Sequence, residues 1–367
     1  MNGRVVQPGQ TVTALRRGSA ESAMNGHIDG DVVRVEGDAR QRFHDSRGYG
    51  YPTGGNAIAL APVEAAHLLY RGDLDVVDGM DFRAFVRDAT GDGFVPRFLV
   101  YADLRERGFY VSPARDDWLQ HVSAGNADLI VYPRGKGPGD GEVAYHVRVV
   151  GERQSVPAAA LGDCVLAVVD EESEITYFET ARPDPTGTAD IDLPSGVDAD
   201  LLADRVVCWE PPASLYESAF YGTPLAGRDA DHDALQLSLV EAAYLAEQGA
   251  IEIDGGTVRD RGRTVEGDRF GRRLRTYSEL RERGVVPKTG FKFGADFRTY
   301  AEFEDIDEFG HSELLVRVLP AGHVFSPRAL SLDVRLANGV RKQMVFAVVD
   351  EDSGDPPTWL RVERLTP

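Results

Sequence analysis

The segment Val63-Glu64-Ala65-Ala66 recurs further along the chain as Val240-Glu241-Ala242-Ala243. Other short matches follow in the same order in both halves, and they are Tyr101 and Leu104-Arg105-Glu106-Arg107-Gly108 with Tyr277 and Leu280-Arg281-Glu282-Arg283-Gly284, Val147-Arg148-Val149 with Val316-Arg317-Val318, and Ala167-Val168-Val169-Asp170-Glu171 with Ala347-Val348-Val349-Asp350-Glu351. Partners stay about 170 to 180 residues apart, which is far longer than a solenoid repeat. The sequence therefore predicts a tandem duplication of one domain-sized unit.

The length of 367 residues allows two units of ordinary domain size, each with its own core. We predict a first repeat at residues 1–180 and a Pro/Gly/Asp-rich linker at 181–205, which lacks apolar periodicity and is expected to be exposed and mobile. The second repeat is expected to have an N-terminal lobe at 206–284 and a C-terminal lobe at 285–367.

Hydrophobic patterning predicts the same mixture of elements in each repeat. Residues 235–248 carry apolar side chains at helical spacing and end at Gly249, and residues 330–336 predict a helix that Asn338-Gly339 ends. Strands are predicted from β-branched and aromatic residues at 291–300, 313–319, 344–349 and 359–365. We expect a mixed α+β protein of two two-lobed units, with functional side chains at loop and strand ends.

The charge of the chain predicts its environment. The formal net charge is −20, and the lysines among the basic residues are Lys136, Lys288, Lys292 and Lys342. Dense carboxylates hold water, and their repulsion is screened within a few Å at molar salt. This composition favours a halophilic source, with an ordinary acidic cytosolic protein as the alternative. Because counterion release contributes little at high salt, acidity is weak evidence against a nucleic-acid partner.

Cysteine usage and hydropathy predict a cytoplasmic protein without a membrane segment. Cys164 and Cys208 show no C-x-x-C spacing, which fits a reducing compartment without a zinc site. Residues 1–10 are too polar for a signal peptide, and no apolar run approaches the roughly 18 residues of a membrane helix. Acidic residues at 229–233 precede a predicted helix and are better explained as caps than as metal ligands. We expect no metal and no cofactor.

Tyr300, His311 and Lys342 are the candidate catalytic residues. Cleavage of RNA by internal attack needs a base for the 2′-hydroxyl, an acid for the departing 5′-oxygen, and a cation beside the phosphate. The tyrosine at a strand end, the histidine after an acidic loop and the lysine past a helix end supply these three roles in that order. Each residue taken alone is more often structural, as a core tyrosine, a loop histidine or a solvated lysine.

The first copy provides an internal comparison. The positions that correspond to the three candidates follow from aligning the Ala-Asp dipeptides at 127–128 and 295–296, and they are Tyr132, Glu142 and Gly162. Two of the three side chains are therefore different in the first copy. This indicates a task that the second copy alone performs, although drift in a spare copy gives the same pattern.

The second copy resembles the archaeal tRNA-splicing endonuclease family, the tRNA-intron lyases. The resemblance is carried by Gly290-Phe291-Lys292-Phe293-Gly294-Ala295-Asp296-Phe297-Arg298-Thr299-Tyr300, His311-Ser312, Val334-Arg335-Leu336-Ala337 and Val340-Arg341-Lys342. It is strong from Leu215 to the C-terminus and weaker in the first copy, as in the duplicated-subunit, homodimeric class of that family. The resemblance implies a nuclease-like C-terminal lobe that is catalytic at 285–367 and degenerate in the first repeat.

The implied activity is metal-independent cleavage of both strands of a bulge-helix-bulge in precursor tRNA, which leaves 2′,3′-cyclic phosphate and 5′-hydroxyl ends. The resemblance assigns the catalytic roles to Tyr300, His311 and Lys342. It also implies two arginines that clamp a bulged base by stacking, at Arg335 and at Arg364, with Arg361 as the competitor for the second position.

Two acidic turns predict how copies of the chain assemble. Asp170-Glu171-Glu172-Ser173-Glu174 and Asp350-Glu351-Asp352-Ser353 resemble the family's negatively charged loop, which enters a polar groove of the opposing subunit. Solvated halophilic turns are the alternative explanation. A twofold homodimer would present two active sites to the two bulges of one RNA. Two rival functions stay open, namely a non-catalytic RNA-binding or structural subunit and a divalent-metal-dependent nuclease.

Overall fold

The computed structural model describes residues 24–89, 91, 93–119, 122–225, 233–306 and 310–367. The chain divides into two compact units. The first comprises Gly50–Ala89 with the chain up to Ser46, and the second comprises Arg47–Tyr49 with Thr90–Pro367. This division differs from the predicted boundary at residue 180, because the C-terminal lobes of both copies share one sheet in the second unit.

The described part of the first unit contains a five-stranded sheet, two α-helices and a π-helical turn at Arg40–Asp45. Its elements are β1 (Asn25–Asp29), β2 (Val32–Val35), β3 (Tyr51–Gly54), β4 (Ala57–Leu60), α1 (Pro62–Arg71), β5 (Val76–Val77) and α2 (Phe82–Asp88). The strand order is β3-β4-β2-β1-β5. Glu64 in the first turn of α1 accepts backbone hydrogen bonds from Ala61 at 2.9 Å and from Gly50 at 2.8 Å. This carboxylate fixes the start of the helix against the loop before it.

The second unit contains the rest of both copies. The first copy contributes α3 (Phe94–Glu106), β6 (Val111–Pro113), β7 (Leu129–Val131), β8 (Tyr145–Gly151), β9 (Val156–Pro157), β10 (Asp163–Val169) and β11 (Ile175–Ala181). The N-terminal lobe of the second copy contains β12 (Val197–Leu201), β13 (Arg205–Trp209), α4 (Ser214–Glu217), β14 (Thr223–Pro224), β15 (Ala234–Ser238), α5 (Leu239–Glu247), β16 (Ile251–Glu252) and α6 (Gly255–Glu266). Its C-terminal lobe contains α7 (Arg269–Glu282), β17 (Val286–Thr289), β18 (Phe297–Tyr300), β19 (Leu314–Pro320), β20 (Val324–Phe325), α8 (Pro327–Gly339), β21 (Gln343–Val349) and β22 (Thr358–Leu365).

The strand orders confirm the predicted duplication and the mixed α+β class. The second N-terminal lobe has the order β14-β15-β13-β12-β16, which repeats that of the first unit strand for strand. The C-terminal lobes form one ten-stranded sheet in the order β17-β18-β19-β21-β22-β11-β10-β8-β7-β6. Each half of this sheet is the reverse of the other, and the halves meet where β22 pairs antiparallel with β11.

Apolar side chains cover both faces of this sheet. One cluster joins Val316 and Val345 to Leu237 and Leu245 of the N-terminal lobe and to Tyr277 of α7. The second cluster, which we call the α8 face, joins Leu315, Met344 and Val362 of the sheet to the buried side of α8. Successive side chains along a strand point to opposite faces of the sheet. This alternation decides to which face each polar residue at a strand end points.

The predicted linker is more ordered than its composition indicates. Residues 181–205 include all of β12, which pairs with β13 and β16. Before that strand, the N–H of Gly187 donates to the carbonyl of Arg283 at 2.9 Å and that of Ala189 to Gly284 at 3.0 Å. Backbone pairing and the packing of Ile191 against the core hold a segment that lacks helical or strand periodicity.

Two predicted elements also differ from the structure. Residues 235–248 are not one helix, because Ala234–Ser238 form β15 and α5 begins after Ser238, whose hydroxyl accepts from the N–H of Glu241 at 3.3 Å. In the predicted strand at 291–300 only Phe297–Tyr300 are extended, and Phe291–Phe293 form a 3-10 turn. Apolar runs at these positions fit either element, and local capping and pairing decide between them.

A buried ion pair connects the lobes of the second copy. Glu241 Oε1 lies 2.9 Å from Lys288 Nζ, which also donates to the carbonyls of Phe220 and Gly222 at 3.0 Å. Burial would raise the pKa of Glu241, but the Lys288 ammonium and the backbone N–H groups of Ser238 and Gly222 lower it to about 2. Because the folded pKa is below the unfolded value, this stabilisation is present above about pH 4.5 and is lost as the pH falls toward 2.

We expect Glu241→Gln to lower the free energy of unfolding by about 3–5 kcal/mol at pH 7, since it leaves the buried Lys288 charge without its partner. The matched control is Glu247→Gln on the same helix, where the exposed carboxylate pairs with Arg259 at 2.5 Å. That change should cost less than about 1 kcal/mol. Denaturant titration measures both, and equal losses would contradict the importance of the buried pair.

Candidate active site

Strand register brings the three sequence-distant candidates to one edge of the sheet. In the ladders, Thr299 pairs with Leu314 and Leu314 pairs with Gln343. The N–H of Glu313 donates to the carbonyl of Thr299, and the N–H of Gln343 donates to the carbonyl of Glu313, both at 3.1 Å. The ends of β18, the start of β19 and the start of β21 therefore coincide. Tyr300 and Lys342 lie immediately next to these pairs, and His311 lies three residues before Leu314.

Side-chain alternation places Tyr300 and Lys342 on the α8 face. Arg298 pairs directly with Leu315, which pairs with Met344, and both apolar partners belong to the α8 face. Tyr300 is two residues after Arg298, and Lys342 is two residues before Met344, so the pleat directs them to the same side. Two strand spacings separate their backbones by about 10 Å. Long side chains can close that gap around one phosphate.

Tyr300 and His311 differ in burial. The tyrosine is 4% exposed and packs with Val286 and Phe303, with its ring centroid 5.8 Å from that of Phe220. His311 is exposed at the start of the segment that leads into β19. Of the acidic loop before it, residues 307–309 lie outside the described residues. A buried phenol beside an exposed imidazole suits a site that opens to a large substrate.

Lys342 is held by Ser312, the residue that follows His311. Its Nζ donates to Ser312 Oγ at 2.5 Å and to the Ser312 carbonyl. The ammonium lies 5.7 Å from the centre of the Phe293 ring. Burial and the nearby Arg298 guanidinium lower the pKa of Lys342. Position along the chain gave no signal for the roles of Ser312 and Arg298, because the contact to Ser312 spans 30 residues.

Of the three arginine candidates, Arg335 and Arg364 lie on one side of the sheet and Arg361 lies on the other. Arg335 is exposed on α8, whose other side is buried in the α8 face. Arg361 pairs with Val345 in the ladder, lies on the opposite face of the sheet, and contacts Glu363 at 3.0 Å. Because Val362 pairs with Met344, continuing the antiparallel register brings Arg364 opposite Lys342. Arg364 is exposed on the same side as Arg335 and the catalytic candidates.

The ladders of the first copy agree with the alignment of the two repeats. In the first copy, Val147 pairs with Leu129 on one side and with Val165 on the other. In the second copy, Val316 pairs in the same way with Phe297 and with Val345. Gly162 thus precedes β10 where Lys342 precedes β21. Between β8 and β10 the first copy has the short strand β9 and a 3-10 turn at Ala158–Ala160 in place of α8.

The two acidic turns lie at the opposite end of the sheet from the candidate site, where β10 joins β11 and β21 joins β22. Glu171 pairs with Arg153 at 2.5 Å, and Glu351 pairs with Arg272. A polar cleft opens between the lobes of the second copy, and its lining includes Arg205, Gln236, Ser238, Arg273, Lys288 and Thr289.

In the described residues, no group of three or more His, Cys, Asp or Glu side chains is arranged to hold a metal ion. Residues 229–232 of the acidic segment, and residues 1–23 at the N-terminus, lie outside that part of the chain. None of the described helices combines the length and the apolar character needed to cross a membrane.

Comparison with known proteins identifies the family. The model of the tRNA intron endonuclease N-terminal domain matches residues 24–86 and 197–261, and that of the catalytic C-terminal domain matches residues 270–355. The chain is 59% identical over 94% of its length to a tRNA-splicing endonuclease of Halobacterium salinarum, of which it covers 100%. It is 60% identical over 93% of its length to that of Haloarcula marismortui, covering 99%, and 39% identical over 90% to that of Methanosarcina barkeri, covering 97%. The chain therefore belongs to the tRNA intron endonuclease family.

Proposed function

We propose that this protein removes introns from precursor tRNA by cutting bulge-helix-bulge motifs without a metal ion. The observation that supports this chemistry is the register of β18, β19 and β21, which gathers Tyr300, His311 and Lys342 at one sheet edge. A non-catalytic RNA-binding subunit is disfavoured because residues 270–355 match the catalytic domain of the family.

The reaction needs one proton removed and one delivered. Tyr300, reacting as the phenolate, takes the proton of the 2′-hydroxyl, the 2′-oxygen attacks phosphorus, and the bond from phosphorus to the 5′-oxygen breaks. His311 protonates that leaving oxygen, which yields a 2′,3′-cyclic phosphate and a 5′-hydroxyl. Lys342 stabilises the negative charge that develops on the phosphate oxygens. Ser312 receives two of the ammonium N–H groups, and an ammonium has a third to offer the substrate.

We expect His311→Ala to slow cleavage by about 10²- to 10⁴-fold, because it removes the proton donor of the leaving group. RNA affinity and folding should stay native, since this side chain is exposed. The control is His27→Ala, an exposed histidine of the first unit with 75% of its side chain accessible. Single-turnover cleavage of a bulge-helix-bulge RNA in excess EDTA, with analysis of product ends, measures the effect.

A native rate for His311→Ala would contradict the assigned acid. Loss of native activity in EDTA, with recovery on adding a divalent cation, would instead support the metal-dependent nuclease. Cleavage in EDTA that leaves 3′-hydroxyl and 5′-phosphate ends would refute internal attack by the 2′-hydroxyl.

Arg335 and Arg364 are proposed to hold a bulged base between their guanidinium planes. Both are exposed on the α8 side of the sheet, and the register of β22 favours Arg364 over Arg361 for the second position. Flat guanidinium groups stack on bases without requiring a broad basic surface, which suits an acidic protein.

We expect Arg364→Ala to weaken RNA binding and transition-state stabilisation by at least about 1 kcal/mol in total, since stacking on a base is lost. Arg361→Ala is the matched control three residues earlier in the same strand, and it should stay within about 0.5 kcal/mol of native. Filter binding measures the loss of RNA affinity, and single-turnover kinetics measure the loss of transition-state stabilisation. A larger effect at Arg361 would reverse the assignment.

A twofold homodimer is proposed to supply two active sites for the two bulges. In this arrangement the turn at Asp170–Glu174 of one copy enters the polar cleft of the other, where Arg205 and Arg273 line the wall. The turn at 350–353 is the second acidic candidate. Because charge is screened beyond roughly 3 Å at molar salt, the loop must act through direct hydrogen-bonded contacts.

The double change Glu171→Lys with Glu174→Lys should shift the protein from dimer to monomer, because like charges would face the cleft. Glu252→Lys with Asp260→Lys reverses the same number of exposed charges in the N-terminal lobe and should leave the dimer intact. Light scattering after size exclusion measures the mass. A native dimer in the first variant would exclude this turn, and the equivalent change at Glu351 and Asp352 would then test the second.

A further inference from the structure

Arg298 occupies a central position beside the candidate catalytic residues. It lies in β18 two residues before Tyr300, and its guanidinium carbon is 5.7 Å from the centroid of the Tyr300 ring. In the ladder it is flanked by Lys288 on one side and Leu315 on the other. The guanidinium therefore lies next to the ring of Tyr300 at the end of β18.

The guanidinium is incompletely satisfied. Its Nε is buried, and it has no hydrogen-bond partner in the part of the chain that the structure describes. Leaving a buried N–H of a charged group without a partner is unfavourable, because its lost hydration is not replaced. Among the same described residues, no carboxylate lies within ion-pair distance of Arg298. Neighbouring Lys288, by contrast, has Glu241 as its counter-charge.

The fold itself does not require a cation here. The residue that corresponds to Arg298 in the first copy is Ile130, which is completely buried, followed by Tyr132 at 1% exposure. The same strand position therefore accepts an apolar side chain in the copy that lacks the histidine and lysine. Arginine is present in the copy that carries all three catalytic candidates.

Arg298 and Lys342 are two cations that one bound anion would serve. Arg298 is close enough to Lys342 to contribute, after burial, to the lowered pKa of that lysine. These like charges, at the ends of strands that flank β19, repel each other, and an anion between them removes this cost. A phosphodiester has one charge and two non-bridging oxygens, which fits two donors approaching from different strands.

We propose that Arg298 is a fourth catalytic residue, which binds a non-bridging oxygen of the scissile phosphate while Lys342 binds the other. This role rests on the proposed function, because it assumes that the substrate phosphate enters beside Tyr300. The guanidinium holds the phosphate in place for attack by the 2′-oxygen and receives part of the charge that develops on phosphorus. It also supplies a counter-charge to a guanidinium that has no carboxylate partner among the described residues.

The test uses three variants of the full-length chain. Arg298→Ile introduces the residue of the first copy, Arg298→Lys keeps the charge without the planar fork, and Arg263→Gln removes a 66% exposed arginine from α6 as a control. We expect single-turnover cleavage to fall about 10²-fold or more for Arg298→Ile, to fall less for Arg298→Lys, and to stay native for Arg263→Gln. Thermal unfolding of Arg298→Ile should be close to native.

Replacing a non-bridging oxygen of the scissile phosphate with sulfur distinguishes direct contact by Arg298 from a structural role of this residue. Each non-bridging oxygen is replaced in turn, and the rate ratio of oxygen to sulfur substrate is measured for each diastereomer. In Arg298→Ile this ratio should collapse toward one for the diastereomer whose sulfur faces Arg298, and should stay native for the other diastereomer. Lys342→Gln should show the complementary pattern.

A native cleavage rate in Arg298→Ile would overturn the proposal, as would a slow rate with both native sulfur ratios. Unfolding of both Arg298 variants would overturn it too, since the cation would then serve the fold. Failure of the proposed function is distinguishable from failure of the Arg298 assignment, because it is seen in the unmodified chain. There, cleavage would require a metal or would give products without a cyclic phosphate.

Discussion

Parallel pairing of β19 with β21, in the register that sets Leu314 opposite Gln343, is the constraint on which the rest of the site depends. β19 also pairs antiparallel with β18, which brings the third strand end to the same edge. A slip of one residue in either ladder would reverse the faces of the strand and move its polar end group away from the others. The apolar contacts of Leu315 and Met344 on the α8 face resist such a slip. Packing of the core therefore fixes the geometry of the chemistry at the sheet edge.

Duplication explains why the candidate catalytic residues accompany only one of two similar lobes. The ten-stranded sheet is nearly its own mirror in strand order, and both copies keep a buried glutamate, Glu64 or Glu241, at the start of the equivalent helix. The first copy has a 3-10 turn instead of α8 and an isoleucine instead of Arg298. The first copy preserves the sheet framework and the pairing of β11 with β22. At the positions equivalent to the candidate residues, it lacks the cationic side chains that would bind a phosphate.

Repetition and motif spacing were sufficient to predict the duplication, the mixed fold and the helix that ends before Lys342. They missed β12 within residues 181–205, because its five residues alternate apolar and polar side chains over too short a stretch to stand out from the Pro/Gly/Asp-rich sequence before it. The mistaken helix at 235–248 has the same origin, since apolar residues of β15 run directly into α5. The candidate site followed from the residue types the reaction needs, whereas Ser312 and Arg298 acquire meaning only from contacts across strands.

A structure of the protein bound to uncleavable RNA would show whether the three ladder ends converge on one phosphodiester. The substrate would be a bulge-helix-bulge RNA with a 2′-deoxy nucleotide at each cleavage position, which binds but cannot attack. In that complex we expect Tyr300 Oη beside the 2′ position, His311 within about 3.5 Å of the 5′-oxygen, and Lys342 Nζ at a non-bridging oxygen. A scissile phosphate bound elsewhere, or separated from any of the three groups by more than one water, would contradict it.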